Sequence, residues 1–192
     1  MTQASAEQPV PVPEIAAACT ALGSGGLIAY PTEGVFGIGC DIRDPLALER
    51  VRRIKQRTSG KGFIVIGSSV EQILPLLKPP TESEMGRLHK AWPGPVTFVA
   101  NATAGLPELL TGGRETIAVR VSAHPVVAQL CNHYAKPILS TSANLSGHPP
   151  MQSARAVRSA FGEAIEVIID APVGNLEGAT PIFDLRTGRQ LR

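Results

Sequence analysis

The strongest fold signal in this chain is residues 116–144, which read TIAVRVSAHPVVAQLCNHYAKPILSTSAN. The runs 116–121 and 138–140 are short and largely apolar, which is typical of buried strands. Between them, Pro125 to Tyr134 predicts a helix. The segment therefore indicates a strand, a helix and a second strand. The second strand leads directly into a cluster of hydroxyl and amide side chains at 140–144.

The same alternation continues through the rest of the chain. Further strands are predicted at 27–30, 63–66, 96–100, 167–169 and 182–185. Further helices are predicted at 14–22, 45–56, 70–77 with a kink at Pro75, 81–91 and 153–161. Alternating helices and apolar strands indicate an α/β fold, and the strand-rich middle favours a mixed sheet over a purely parallel one. We therefore expect one α/β domain in which helices cover a twisted, mostly mixed open sheet.

Length and composition fit one globular domain after a short leader. The chain has 192 residues, of which 43% are hydrophobic, so it can bury a real core and global disorder is excluded. Pro9, Pro11 and Pro13 lie among small and polar residues, and proline cannot donate a backbone hydrogen bond to a helix or sheet. We predict a disordered, proline-rich leader at 1–13 and a single folded domain at 14–192.

The sequence favours a cytoplasmic protein without a metal centre. Its three cysteines, Cys19, Cys40 and Cys131, form no C-x-x-C pair, which fits reduced thiols better than disulfides. The four histidines show no metal-ligand spacing. Residues 15–32 are uncharged, but glycines split them into pieces shorter than the ~20 residues of a membrane-spanning helix. The N-terminus lacks the basic start of a signal peptide.

Two separated clusters indicate a site for an anionic ligand. The net charge is only +2, but six cations lie between Arg50 and Lys61 with no acid among them. Such a small net charge does not by itself indicate nucleic-acid binding. Lys and Arg supply fixed charge for phosphate oxygens, and the cluster at 140–144 supplies neutral groups that can orient a ligand. Together the clusters favour a nucleotide site, with a solvated helix face as the alternative for the cations.

Standard nucleotide and hydrolase motifs are absent. The group Gly23-Ser24-Gly25-Gly26 lacks the Gly-Lys-Ser/Thr end of a Walker A loop. Neither this group nor Gly37-Ile38-Gly39 completes the dinucleotide fingerprint G-x-G-x-x-G, so both are predicted to be turns. No G-x-S-x-G surrounds Ser142, which argues against a serine hydrolase.

Lys55 and Arg57 can reach one ligand only if their helix ends between them. Residues two apart do not share a face of a straight helix. The glycine at position 60 supports a helix end near residue 56, since glycine terminates helices. The following loop would then place Arg57, Ser59 and Lys61 around one anion.

Two more polar residues follow or interrupt apolar strands. Thr32 leaves the strand 27–30 at a turn fixed by Pro31, and strand ends are common ligand sites in open α/β sheets. Its hydroxyl could bind a substrate or only form the turn. Arg120 lies inside the apolar strand 116–121, and a buried cation costs free energy unless it is paired. We expect Arg120 to face a cleft and meet an anion, with an internal salt bridge as the alternative.

The same residues carry a resemblance to a known family. Lys55-x-Arg57 with Ser142-x-Asn144 resembles the K-x-R and S-x-N signature of the YrdC-like family, the threonylcarbamoyl-AMP synthases of tRNA modification. Segments 30–39, 92–97 and 118–121 are similar to the same family and occur in its order. The Lys61-Gly62 pair, with no extra C-terminal domain, resembles the short bacterial form, so residues 14–192 would be its catalytic domain.

The resemblance implies a reaction and a set of site residues. Threonine, bicarbonate or CO2, and ATP with Mg2+ would give threonylcarbamoyl-AMP and pyrophosphate, and the adenylate would feed separate threonylcarbamoyl transferase proteins. The metal would be held mainly by the phosphates. The residues with implied catalytic roles are Lys55, Arg57, Ser142 and Asn144. The residues with implied roles in binding threonine or ATP are Thr32, Ser59, Lys61, Arg120, Ser140 and Thr180.

The sequence departs from the family pattern at one position, and two other functions remain as alternatives. Pro181 after Thr180 departs from the family's Pro-Ser-Thr-Ile pattern. An RNA-binding module in tRNA or ribosome maturation would show salt-dependent RNA affinity without nucleotide turnover, although only 4% of the residues are aromatic and available for base stacking. The third function is a carbamoyl-adenylate enzyme of hydrogenase maturation, whose zinc-binding and phosphatase-like regions this chain lacks.

Overall fold

The structure is a computed structural model that describes residues 10–57, 60–145, 147–178 and 180–192. The α-helices within these ranges are α1 Val12–Gly23, α2 Pro45–Ile54, α3 Val70–Ile73, α4 Glu82–Ala91, α5 Glu108–Thr111, α6 Pro125–Tyr134 and α7 Ala154–Phe161. The strands are β1 Ile28–Pro31, β2 Phe36–Gly39, β3 Ile64–Gly67, β4 Thr97–Asn101, β5 Thr116–Val121, β6 Ile138–Ser142, β7 Val167–Ile168 and β8 Ile182–Asp184.

The strands form one mixed sheet. In the part of the chain that the structure describes, it has eight strands in the order β7-β1-β2-β6-β3-β5-β4-β8. The pairs β1/β7, β3/β5 and β4/β8 are parallel, and the other neighbours are antiparallel. The predicted fold class, α/β with a mixed open sheet covered by helices, is confirmed.

Side chains of the sheet alternate between two apolar cores, one on each face. In β1, Ile28 and Tyr30 pack with residues of α1 and α6, whereas Ala29 belongs to the larger core with residues of α2 and α7. This alternation arises because successive residues of a strand point to opposite faces. Helices therefore cover both faces, and the strand ends and their loops are where a polar cleft can form.

Helix α2 ends before Arg57, so Lys55 and Arg57 do not both project from one straight helix. Its N-terminus is capped by Asp44, whose side chain accepts two backbone hydrogen bonds. The helix stops at Ile54, two residues before the predicted end. Gln56 then has a φ of +46°, which is outside the right-handed helical region. Arg57 consequently lies in a loop.

The prediction of a turn at Gly37-Ile38-Gly39 was wrong, because these residues belong to strand β2. A Cβ at Gly39 would lie 2.9 Å from the ring of Tyr30 and 2.7 Å from the carbonyl oxygen of Leu139. At Gly37 it would lie 3.3 Å from the same ring. The glycines are therefore needed for the close approach of a buried tyrosine rather than for a turn. The Gly23–Gly26 group does form the turn after α1.

Other differences concern helix boundaries. Helix α1 begins at Val12, two residues before the predicted start. The predicted leader remains a prediction for residues 1–9, which lie outside the described residues. Helix α5, which is only 4 residues long, was not predicted from the sequence. Across the described ranges, no helix is long and apolar enough to cross a membrane.

Candidate active site

Six of the ten predicted site residues line one cleft of about 250 Å³. The cleft lies between the β1–β2 turn, the strands β3, β5 and β6, the loop after α2 and the segment leading into β8. The predicted residues that line it are Thr32, Arg57, Arg120, Ser140, Ser142 and Thr180. They come from distant parts of the sequence, and the strand order of the sheet brings them together.

The register of the sheet explains the arrangement of hydroxyl groups. Strand β6 lies between β2 and β3, with Ser142 opposite Gly37 and Ser140 opposite Ile64. Because alternate residues of a strand point to the same face, the two serines project towards the same side. A Cβ at Gly37 would lie 3.3 Å from the Ser140 hydroxyl oxygen, so the glycine leaves this space open.

Arg57 contributes to the cleft a guanidinium group whose hydrogen-bond donors are only partly used. Its Nη2 donates a hydrogen bond to the carbonyl oxygen of Gly62 at 2.6 Å, and its guanidinium lies 4.6 Å from the ring centroid of Phe63. Its buried Nε finds no hydrogen-bond partner among the described residues. Burial lowers the pKa of Arg57, yet arginine keeps its charge under ordinary conditions. The guanidinium therefore brings a positive charge to the cleft that suits an anionic ligand.

Arg120 is both paired and directed at the cleft. Its Nη1 donates to the hydroxyl of Thr180 at 3.0 Å, and its Nη2 lies 3.4 Å from a carboxylate oxygen of Glu33. The other carboxylate oxygen of Glu33 accepts from Ser122 at 2.6 Å. The buried Nε of Arg120 has no hydrogen-bond partner within the described part of the chain. Arg120 therefore forms an internal ion pair and also lines the cleft, and its contact with a ligand anion stays a prediction.

Lys55 lies behind the cleft wall rather than in it. Its Nζ donates hydrogen bonds to the carbonyl oxygens of Ser142 and Asn144, both at 2.7 Å, and to Asn144 Oδ1 at 2.5 Å. Only 9% of the residue is exposed. Asn144 Oδ1 also accepts from Ser142 Oγ at 2.8 Å. The K-x-R and S-x-N residues are thus brought together, but Lys55 and Asn144 contact each other and do not line the cleft.

Three predicted residues, Thr32, Lys61 and Ser59, remain to be described. The Thr32 hydroxyl donates to the carbonyl oxygen of Val35 at 2.7 Å, so it forms the turn and can still accept a hydrogen bond from a ligand. Lys61 is exposed and borders a neighbouring depression of about 180 Å³, together with Arg57 and Arg114. Ser59 lies outside the described residues.

Most of the cation cluster on α2 does not face the cleft. Arg52 and Arg53 pair with Glu49 at 2.6 and 3.2 Å, and Arg50 pairs with Glu166 at 2.6 Å. The pairing with Arg52 and Arg53 lowers the pKa of Glu49 to about 2. The acidic partners Glu49 and Glu166 lie outside residues 50–61, so the cations appeared unpaired in the sequence. The solvated-face interpretation therefore applies to these three arginines and not to Arg57.

Two residues at the site were missed by the sequence analysis. Arg192 lines the cleft and donates from Nη2 to the carbonyl oxygen of Thr180 at 3.0 Å. Glu33 supports Arg120 from below the cleft surface. A signal for Glu33 was available, because a buried arginine in a strand needs a carboxylate and Glu33 follows Thr32 directly. Arg192 carries no local signal.

A comparison with protein-family models identifies the family. The model Sua5_yciO_yrdC, described as Telomere recombination, matches residues 20–192. The chain belongs to the Sua5/YciO/YrdC family. The match covers every described strand and all the cleft residues. The resemblance based on the K-x-R and S-x-N residues is therefore confirmed.

Relatives within the Sua5/YciO/YrdC family cover most of this chain. A threonylcarbamoyl-AMP synthase of Nitrosococcus oceani is 45% identical over 168 residues, which is 88% of this chain and 91% of the relative. The structure of P. abyssi Sua5 complexed with L-threonine is similar with a TM-score of 0.86 and 34% identity, over 92% of this chain and 52% of that chain. E. coli YciO is similar with a TM-score of 0.77 and 26% identity, over 93% and 87% of the two chains.

Proposed function

We propose that this chain is an L-threonylcarbamoyladenylate synthase, a nucleotidyltransferase that forms threonylcarbamoyl-AMP and pyrophosphate from L-threonine, bicarbonate or CO2, and ATP. One observation carries the proposal. Two arginines, Arg57 and Arg120, line one small cleft beside the hydroxyls of β6. Guanidinium groups bind carboxylate and phosphate oxygens strongly, so the cleft suits a ligand with several anionic oxygens. The names of its relatives support the same reaction.

The proposed chemistry has two steps. The amine of threonine adds CO2 and loses a proton to become a carbamate. A carbamate oxygen then attacks the α-phosphorus of ATP, the bond from that phosphorus to the bridging oxygen breaks, and pyrophosphate leaves. Negative charge develops on phosphate oxygens, which preorganised cations stabilise. A carbamate is labile in water, so a narrow cleft between the β1–β2 turn and the segment before β8 is a suitable place for it.

The cations of the cleft suit different parts of this reaction. Arg57 lies in a loop and borders both the cleft and the neighbouring depression with Lys61 and Arg114. We assign it to the phosphates of ATP. Arg120, beside the hydroxyls of Thr180 and Thr97, is assigned to the threonine carboxylate, and Thr32 to its polar groups. P. abyssi Sua5, the similar structure, is complexed with L-threonine.

Mg2+ would enter this site with ATP. The cleft-lining side chains offer hydroxyls and guanidinium groups, and the nearby carboxylate of Glu33 is already bonded to Ser122 and paired with Arg120. Such a donor set fits a metal that is bound mainly by phosphate oxygens and water, as is usual for Mg2+ with nucleotides. The metal would neutralise charge on the leaving pyrophosphate.

The product would pass to separate transferase proteins that modify tRNA. We place the reaction in the cytoplasm, where tRNA and ATP are available.

Direct RNA contact is not required by this proposal. The RNA-binding alternative depended on the cations of 50–61, and three of them are paired with glutamates. A surface with paired cations attracts phosphates less strongly than the sequence count suggests.

The deciding experiment is an assay of pyrophosphate release by the pure protein with ATP, threonine and bicarbonate. We expect release to depend on both threonine and bicarbonate, with threonylcarbamoyl-AMP detected by mass spectrometry. Equal release without threonine would indicate a general ATP pyrophosphatase. Salt-dependent RNA binding with no turnover would support the RNA-binding alternative instead.

A further inference from the structure

The ammonium group of Lys55 is fully used inside the protein. An ammonium has three N–H donors, and Lys55 places them on three oxygens, the carbonyls of Ser142 and Asn144 and the side-chain oxygen of Asn144. The distances of 2.5–2.7 Å are short, as expected when the donor is charged. A donor set that is already satisfied has no N–H left for a phosphate.

The oxygens that Lys55 binds belong to the segment 142–144, which closes strand β6. Asn144 connects this segment in both directions, because its Oδ1 accepts from Ser142 Oγ at 2.8 Å and its Nδ2 donates to the carbonyl oxygen of His148 at 2.9 Å. The amide of Ala143 donates to the carbonyl oxygen of Phe36 at 2.8 Å. Lys55 therefore ties the end of α2 to the loop that carries Ser142 into the cleft.

We propose that Lys55 is a positioning residue, which orients the 142–144 segment for the synthase reaction and does not itself contact the phosphates of ATP. This inference rests on the proposed function for its catalytic consequence. Its structural content, the binding of the segment by Lys55, does not depend on that function. The Lys-x-Arg pair then has two distinct roles, with Lys55 facing the protein and Arg57 facing the ligand.

Only the protonated lysine can play this role. A neutral amine has two donors and a lone pair, and the lone pair would face one of the three oxygens. Burial, with a smaller contribution from the charge of Arg57, lowers the pKa of Lys55 from 10.5 to about 8. Strand β6 and its loop present uncharged oxygens, and α5, which also contacts α2, carries Glu108. The positioning function is therefore present below pH about 8 and lost as the pH rises through that value.

The first experiment uses the protein without ligands. Hydrogen exchange of the Ala143 and Asn144 amides is measured in wild type, Lys55→Met and Lys90→Met, where Lys90 is an exposed lysine of α4 and serves as the matched control. We expect Lys55→Met to exchange at least about tenfold faster at these amides, the scale of one lost charged hydrogen bond, and Lys90→Met to match wild type. Unchanged exchange in folded Lys55→Met would overturn the proposal.

The second experiment tests the wild type directly, so that it does not depend on a variant that folds. The chain contains five lysines, and ¹³Cε labelling gives each a titration curve. Lys55 is assigned by elimination, from Met substitutions of the four exposed lysines. We expect one lysine to titrate with a midpoint near pH 8. A Lys55 amine that is neutral at pH 7 would contradict an ammonium that donates to three oxygens.

The third experiment separates positioning from phosphate contact through kinetics. We expect Lys55→Met to lower kcat by about 10²-fold, the scale of a lost preorganised group, with KM for ATP within about threefold of wild type. Wild-type kcat should fall by about tenfold per pH unit above pH 8. A large rise in KM for ATP with normal exchange of the segment would assign Lys55 to the phosphates and overturn the proposal. If the wild type forms no adenylate, the proposed function fails. Hydrogen exchange and the lysine titration still test whether Lys55 binds the segment 142–144.

Discussion

At the scale of single residues, neighbouring cations on one short segment have different partners. Arg53 is exposed and pairs with Glu49 at 3.2 Å, whereas Arg57 lines the cleft and bonds to the carbonyl oxygen of Gly62. Exposed pairs contribute little to stability and are screened by salt. A half-buried guanidinium with an unused donor is a stronger anchor for an anion. The partner of each arginine, rather than the number of cations, therefore defines the site.

We predict that Arg57→Ala lowers kcat/KM for adenylate formation by about 10²-fold or more, because it removes a preorganised cation at the phosphates. Arg53→Ala is the matched control and should stay within about twofold of wild type. Pyrophosphate release measures both, with circular dichroism as the check of folding. Normal turnover by Arg57→Ala would show that the cation of the cleft is not used.

Ser142 should orient the substrate without forming a covalent bond. Its hydroxyl donates to the amide oxygen of Asn144 at 2.8 Å, and an amide is not the base that a nucleophilic serine requires. Ser142→Ala should lower activity by about fivefold to tenfold, the value of one neutral hydrogen bond. Mass spectrometry of the enzyme trapped during turnover should show an unmodified chain. A stable adduct on Ser142 would reopen the hydrolase interpretation.

At the scale of elements, the segment between β7 and β8 packs over the β1–β2 turn. The amide of Gly174 donates to the carbonyl oxygen of Thr32 at 2.9 Å, and the amide of Leu176 to that of Glu33 at 2.8 Å. A Cβ at Gly34 would lie 2.2 Å from the carbonyl oxygen of Leu176. The turn that carries Thr32 and Glu33 is therefore shaped by a segment about 140 residues further along the chain.

We predict opposite effects for two glycine substitutions. Gly34→Ala should lower the free energy of unfolding by about 1–3 kcal/mol, because the added methyl collides with a backbone oxygen, and activity should fall with it. Gly86→Ala is the control, since Gly86 lies exposed in α4 with nothing near its missing Cβ. It should raise the free energy of unfolding by about 0.5–1 kcal/mol. Urea unfolding measures both, and equal changes would refute this account.

At the scale of the whole molecule, the sheet brings the last residue of the chain to the cleft. Strand β8 pairs with β4 at the edge of the sheet, and the chain then folds back so that the amide of Ile182 donates to the carbonyl oxygen of Arg192 at 3.1 Å. The Arg192 side chain thereby reaches the carbonyl oxygen of Thr180. The cleft is consequently assembled from segments spread over residues 32–192.

We predict that Arg192→Ala raises KM for ATP by about fivefold to tenfold, because it removes a charged donor from the cleft. Arg189→Ala is the matched control, since Arg189 is exposed and does not line the cleft. Steady-state kinetics at saturating threonine and bicarbonate measure the effect. Equal KM values for the two variants would remove Arg192 from the binding site.

The sequence by itself determined the features that depend on near neighbours. Strands and helices follow from the period of apolar residues, and the cap at Asp44 follows from local hydrogen bonding. The helix end near residue 56 was indicated by Gly60, since glycine terminates helices. The family followed from the residues around Lys55 and Ser142, since these motifs can be seen without knowing how they are arranged in space.

Only the tertiary structure decided which way the polar side chains point. Lys55 and Ser142 are 87 residues apart, and their contact exists because α2 ends beside β6. The pairing of Arg120 with Glu33 and the arrival of Arg192 at the cleft depend on strand order in the same way. Local patterns record the period and the ends of each element, but not which elements become neighbours, because that choice is made by burying both faces of one sheet.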